Sequence, residues 1–177
     1  MRKLLIACVL CLAAQNISAT EQTPDRIIIG RDTLPLLSQF PLETLDPARF
    51  RLFRQRIHDA NVISRPGEPD VFVLNSGLWR GYVATWELRN DSLLFRSLEN
   101  TAGKPADLTG ICSDGDPAQW FSGEIHVGYG KCRPTAGELY EYESEAVYLL
   151  QDGLVVEKRK RLNDAERIDS LWNSLCF

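Results

Sequence analysis

The segment from Tyr82 to Glu99 constrains the fold more than any other part of this 177-residue chain. From Tyr82 to Arg89 the residues alternate between two faces, which is the period-two pattern of a β-strand. Asn90-Asp91 follows, and both residue types tolerate the left-handed backbone of a tight hairpin turn. Such a turn pairs Arg89 with Ser92, Leu88 with Leu93 and Trp86 with Phe95. The sequence therefore predicts a hairpin in which an aromatic pair and a leucine pair share one face.

The rest of the chain predicts a mainly β domain. A single antiparallel curved sheet or a partly open barrel is favoured over a two-sheet sandwich, because both faces of the hairpins carry apolar residues. Asn163-Asp164 is expected to cap a short C-terminal helix with an apolar stripe. The predicted strands are Ile27–Ile29, Val71–Leu74, the two strands of the hairpin, Trp120–Val127, Glu138–Gln151 and Leu154–Arg161.

Four local expectations accompany this fold. Asp152-Gly153 is a strong hairpin signal, and a two-residue turn there would place Glu145 opposite Lys160 and Leu149 opposite Val156. Asp46-Pro47 resembles a helix start with Phe50, Phe53 and Ile57 on one face, although the alternation of Phe50 and Leu52 fits a strand instead. Prolines interrupt residues 34–42, which predicts an extended segment over the core. Residues 128–130 and 134–137 are expected to form the turn region after the strand Trp120–Val127.

The first 19 residues have the three parts of a secretory signal peptide. Arg2 and Lys3 precede an apolar run from Leu4 to Ala14, and Ile17-Ser18-Ala19 offers a small-residue cleavage site. Export to the periplasm or the medium is expected, with residues 20–177 as a single β-rich domain and no integral membrane segment after cleavage. The alternative is a bacterial lipoprotein anchored through Cys8.

The charge balance argues against nucleic acid as a partner. Removing Arg2 and Lys3 with the signal would change the net charge from −4 to −6. The exception is the run from Lys158 to Arg161, whose members alternate between two faces of a strand and are interpreted as solvated charges.

Three cysteines would remain after export, in an oxidising compartment. A disulfide between Cys112 and Cys132 is predicted because both lie in turn-rich sequence flanking one strand, which leaves Cys176 as the unpaired thiol. A bond between Cys132 and Cys176 is the alternative. No cysteine or histidine spacing indicates a metal site, and no cofactor is expected.

Residues 78–93, LWRGYVATWELRNDSL, resemble the most recognisable segment of a family of small bacterial proteins that has no established activity. Members carry WRGYxAxWE followed by a hairpin, and later segments similar to Trp120–Gly123 and Tyr142-Glu143. The resemblance spans residues 27–156 and implies a single β domain, with no implication for chemistry.

Two groups of residues are candidates for a site. Arg80 would lie on the face of Tyr82 and Trp86, where a guanidinium at a barrel mouth could bind a carboxylate or phosphate. The structural alternative is an ion pair with Glu99 or stacking on Trp79. Glu124 and His126 lie two apart on one strand, as an acid–base pair would, but they lack a nucleophile or a third partner. The ligand-binding candidates are therefore Arg80, Tyr82, Trp86, Glu124 and His126, and no catalytic residue is assigned.

Three functions are consistent with these observations. The leading hypothesis is an exported non-enzymatic protein that binds another protein or a small ligand, such as an inhibitor or immunity-like factor. Its acidic surface would suit a basic partner. The first alternative is a small-ligand barrel with Arg80 as the anion anchor. The second is a hydrolase that uses Glu124 and His126.

Overall fold

The computed structural model describes residues 22–38, 40–73, 75–134 and 140–162. Seven strands form one strongly curved sheet, in the order β1-β2-β7-β8-β9-β6-β5. β3 and β4 form a separate two-stranded sheet. The strands are β1 Asp25–Ile29, β2 Asp32–Ser38, β3 Val62–Ile63, β4 Val71–Phe72, β5 Tyr82–Arg89, β6 Ser92–Asn100, β7 Gly123–Pro134, β8 Tyr140–Gln151 and β9 Leu154–Leu162.

The curved sheet bends round almost into a closed ring, and its smallest strand contact is the one between β6 and β9. β1 pairs with β5 in parallel over four residue pairs, whereas β6 and β9 pair only at Ser92 and Leu154. The sheet is therefore a partly open barrel with its gap between β6 and β9. The predicted mainly β fold with one curved sheet is confirmed. The parallel contact between β1 and β5 was not predicted.

The central hairpin has the predicted register next to its turn. Arg89 pairs with Ser92, Leu88 with Leu93 and Trp86 with Phe95. Asn90 and Asp91 adopt φ values of 51° and 59°, the left-handed backbone that a two-residue turn needs. The rings of Trp86 and Phe95 meet edge to face with their centroids 5.6 Å apart. A bulge between Thr85 and Trp86 shifts the register further along.

The second hairpin forms at Asp152-Gly153, but its predicted register is wrong by one residue. Glu145 pairs with Arg161 and Leu149 with Glu157. A β-bulge between Leu149 and Leu150 adds one residue to β9, and every pair beyond it moves by one. This shift decides which basic residues of β9 face the barrel interior.

The predicted helix start at Asp46-Pro47 is confirmed. Helix α1 spans Pro47–Ala60, and the Asp46 carboxylate accepts hydrogen bonds from the amides of Ala48 and Arg49. Phe53 and Ile57 are its buried residues. The Phe53 ring packs edge to face on Tyr82 at 5.1 Å, so the helix covers the first residues of β5.

Two segments that were not predicted as strands belong to the curved sheet. Residues 32–38 form β2, in which Pro35 pairs with Arg26 and Leu36 is fully buried. Gly128, Tyr129 and Gly130 do not form a turn, because β7 continues through them to Pro134. Residues 128–130 were predicted to form a turn because they contain two glycines. Gly128 instead allows close packing within the sheet, because a Cβ there would lie 2.6 Å from the Tyr142 ring.

The predicted disulfide between Cys112 and Cys132 is not formed. Cys112 is a buried thiol in the core beside Ile111, whereas Cys132 is exposed on β7. The strand that they were thought to flank continues past Cys132, which removes the premise of the pairing. Burial raises the pKa of the Cys112 thiol to about 12, as expected for an inert core cysteine. The alternative bond to Cys176 lies outside the described residues.

The predicted signal peptide and the C-terminal helix after Asn163 also lie outside the described residues. Within the described part of the chain, no helix is both long and apolar enough to cross a membrane.

Candidate functional site

The structure places the five predicted ligand-binding residues in two separate locations. Arg80, Tyr82 and Trp86 lie together in the core, where each is no more than 1% exposed. Glu124 and His126 lie on the outer face of the sheet. A third location, which the sequence did not predict as a site, is a pocket on the inner face of β7, β8 and β9.

The core location is an ion pair enclosed by aromatic rings. The Arg80 guanidinium donates to the Asp25 carboxylate at 3.1 Å and to the Thr23 carbonyl at 2.9 Å. It stacks on the Phe40 ring, with its central carbon 3.5 Å from the ring centroid. Arg80 thus binds groups of the protein itself. The anion-anchor prediction required Arg80 to lie at an open barrel mouth, but its side chain is buried.

Asp25 is the residue that organises this cluster. Besides the Arg80 pair, its carboxylate accepts hydrogen bonds from the Ala84 amide at 3.0 Å and the Trp86 indole at 3.4 Å. Burial raises the pKa of Asp25, and Arg80 together with the Ala84 and Trp86 donors opposes that rise. The pKa of Tyr82 is also raised, mainly by burial, so its phenol remains protonated.

The predicted partner of Arg80 was wrong. Glu99 instead pairs with Arg26 at 3.2 Å, where both side chains are partly exposed. Trp79, the predicted stacking partner, is 62% exposed. The prediction of an internal ion pair therefore had the right class of interaction and the wrong acid.

Glu124 and His126 are neighbours on the outer face, as predicted, at 3.8 Å between Oε2 and Nε2. Glu145 lies on the other side of the imidazole, 3.6 Å from Nδ1, and Arg159 approaches Glu124 at 3.7 Å. This arrangement is a cross-strand network in which two glutamates lie beside the His126 imidazole and Arg159 lies beside Glu124. Among the described residues, no group of three His, Cys, Asp or Glu side chains is placed to hold a metal ion.

The pocket has a volume of about 350 Å³, which falls in the range of small-molecule sites. We call it the mouth pocket. It lies where β9 has run past its single contact with β6, so β9 has no neighbouring strand on that side in the described chain. Its lining residues are Tyr129, Ser144, Glu145, Ala146, Lys158 and Lys160.

The residue pairing explains why a pocket forms here. Val127 pairs with Ala146, and Ala146 pairs with Lys160, so all three share the inner face. Ala146 and Ser144 are small, and they leave space between the larger side chains of Tyr129 and Lys160. Further along the same face Leu150 and Ile125 are buried core residues. The inner face thus changes from apolar to polar along β7 to β9.

The polar groups of the mouth pocket are held by one another. The hydroxyls of Tyr129 and Tyr148 are 3.3 Å apart, and the Lys158 ammonium lies 5.0 Å from the Tyr148 ring centroid. Burial and the contact with Tyr148 raise the pKa of Tyr129 to about 12. Two hydroxyls that share one hydrogen bond leave one O–H free to point elsewhere. The lining therefore contains two lysines and a phenol, together with one acidic residue, Glu145, whose carboxylate lies beside His126.

The sequence contains a signal for this site, the basic run from Lys158 to Arg161, which was interpreted as solvated charges. Alternation alone puts Lys158 and Lys160 on one face of β9, but it does not say which face is inner. The bulge at Leu149/Leu150 decides that point, and a bulge cannot be located from the alternation.

Comparisons with known proteins give no relative for this chain. No family model matches it, and neither the curated proteins nor the solved structures contain a match. The resemblance to the WRGYxAxWE family therefore stays a prediction.

Proposed function

We propose that this protein is an exported, non-enzymatic binding protein that holds a small anionic molecule in the mouth pocket. The observation that carries the proposal is the pair of lysines, Lys158 and Lys160, on the polar inner face beside a cavity of about 350 Å³. It keeps the predicted small-ligand barrel and moves the anion anchor from Arg80 to these lysines.

The chemistry of the lining favours a carboxylate or a phosphate. Ammonium groups bind such anions through charge-assisted hydrogen bonds, which are stronger than neutral ones. The Tyr129 hydroxyl adds a neutral donor, and the Tyr129 ring offers flat apolar surface for the body of the ligand.

Binding rather than catalysis is supported by the protonation of the site. With a pKa of about 12, Tyr129 remains a phenol near neutral pH and can donate a proton in a hydrogen bond but cannot act as a general base. The predicted acid–base pair, Glu124 and His126, lies on the outer face of β7, away from the lysines on the inner face. These observations favour the binding hypothesis over the hydrolase alternative.

The lysines give the first test. We expect Lys158→Met and Lys160→Met each to weaken binding of an anionic ligand about ten- to a hundredfold, because each removes a charge-assisted hydrogen bond. The ligand is found by calorimetry with a panel of carboxylates and phosphate monoesters, and the same titration is repeated on the variants. Lys104→Met, in an exposed loop, is the matched control and should bind as the parent does. Unchanged affinity in the Lys158/Lys160 double variant would refute the site.

Export gives a second test that is independent of the ligand. We expect the mass of the exported protein to correspond to a chain that starts at Thr20 or within a few residues of it, because Ala19 ends the signal. Intact-mass spectrometry measures this directly. A chain that begins at a lipid-modified Cys8 would establish a membrane-anchored lipoprotein instead.

A further inference from the structure

The outer side of β9 is an unpaired strand edge in the described chain. β9 pairs with β8 from Leu154 to Leu162, but with β6 only through Leu154. The last hydrogen bond on that side runs from the Val155 amide to the Asp91 carbonyl. We call residues 156–162, on the side away from β8, the β9 edge. Successive residues of a strand direct their N–H and C=O groups to opposite sides. Every second residue of this edge therefore presents an unpaired backbone donor and acceptor.

The strand on the other side of the gap is protected, which makes the β9 edge different. The loop after β6 folds back along that strand. The Phe95 amide donates to the Asp116 carbonyl, and the Ala106 amide donates to the Leu98 carbonyl. Isolated bridges at Pro117 and Pro105 continue the cover. The chain thus covers the edge of β6 with its own loop, and no described segment does the same for residues 156–162.

The charge of the β9 edge limits the class of strand that can pair with it. Lys158, Arg159, Lys160 and Arg161 are consecutive and exposed, in a chain whose net charge is −4. Basic residues along an edge repel a second copy of the same strand, which protects against self-association. The same residues attract a strand that carries carboxylates, because the side chains of an added strand would lie beside them on both faces.

We propose that the β9 edge binds an extended acidic segment of a partner protein by strand addition. Backbone hydrogen bonds to residues 156–162 supply the pairing, and acidic side chains of the partner lie next to Lys160 on the inner face and Arg161 on the outer face. This goes beyond the proposed function, because the partner is a polypeptide and its contacts are with the backbone.

The experiment uses the full-length protein and a synthetic peptide of about eight residues, the length of the edge, in which glutamate alternates with valine and threonine. We expect the peptide to bind and to slow amide hydrogen exchange at alternate residues of 156–162. A peptide of the same sequence with N-methyl groups at alternate positions should bind at least about tenfold more weakly, because it cannot complete the ladder. A peptide with lysine in place of glutamate should not bind.

The variants separate this proposal from the small-ligand site. Arg161→Glu should weaken the acidic peptide about tenfold and leave small-anion binding unchanged, because Arg161 does not line the mouth pocket. Lys104→Glu is the matched control, with the same charge reversal in a distant loop. Three results would overturn the proposal: equal binding of the N-methylated peptide, no effect of Arg161→Glu, or slow exchange at the outward amides of residues 156–162 before any peptide is added. The last result would mean that the full chain already covers the edge.

Discussion

Replacing Arg80 with alanine is expected to cost about 3–5 kcal/mol of unfolding free energy, because the substitution leaves the Asp25 carboxylate buried without its counter-ion. Asp25 is 1% exposed, and Arg80 is as deeply buried. The lost guanidinium also packs on Phe40 at 3.5 Å and on Tyr82 at 4.9 Å, so the change leaves a cavity as well. Chemical denaturation followed by fluorescence measures the loss.

Two further variants identify the cause. Arg26→Ala breaks the partly exposed pair with Glu99 and should cost less than about 1 kcal/mol, since water screens that pair. The double variant Arg80→Met/Asp25→Asn removes both charges while keeping an oxygen for the Ala84 amide, and we expect it to recover most of the stability. A small loss in Arg80→Ala, or no recovery in the double variant, would contradict a structural role for the ion pair.

The partner of Arg80 shows where sequence reasoning reaches its limit. The sequence suggested an ion pair, because an arginine on an aromatic face needs a counter-ion. Asp25 is 55 residues away from Arg80 along the chain. The two meet because β1 pairs in parallel with β5, and a hydrophobic alternation does not state which strand pairs with which. Glu99, the acid that the sequence analysis named, pairs with Arg26 instead.

Local features were predicted more accurately than long-range ones. The Asn90-Asp91 turn, the Asp152-Gly153 turn and the Asp46 cap depend on a few adjacent residues, and each was correct. The mouth pocket depends on three strands and one bulge. A bulge arises from the packing of a whole sheet, so the sequence indicated basic residues at β9 without showing that Lys158 and Lys160 face the interior.

The same limit applies to residue 35. Prolines within an apolar run led to the prediction of an extended segment over the core, since proline cannot donate to a sheet ladder. The register between β2 and β7 shifts between Leu36 and Ser38, and their regular pairing begins only at Leu36, so Pro35 falls where that ladder is incomplete. Proline, which has no N–H to donate, is tolerated where a ladder is incomplete.

Replacing Trp86 with alanine should cost about 3–5 kcal/mol, a large part of the stability of a domain of this size. Among the described residues, Trp86 is the largest fully buried side chain. Its ring meets Phe95 edge to face, and its indole nitrogen donates to Asp25 at 3.4 Å. The substitution therefore empties the core beside the central hairpin and removes one donor from the buried carboxylate. Thermal and chemical denaturation should both report the loss.

Trp79 supplies the control for this substitution. It is a tryptophan seven residues earlier in the chain and 62% exposed, so Trp79→Ala should change the stability by no more than about 0.5 kcal/mol. Trp86→Phe retains a ring against Phe95 but cannot donate to Asp25, so its cost should fall between those of the two alanine variants. Equal effects of Trp79→Ala and Trp86→Ala would contradict the buried pair. If Trp86→Phe is as damaging as Trp86→Ala, the hydrogen bond to Asp25 rather than the volume of the indole stabilises this part of the core.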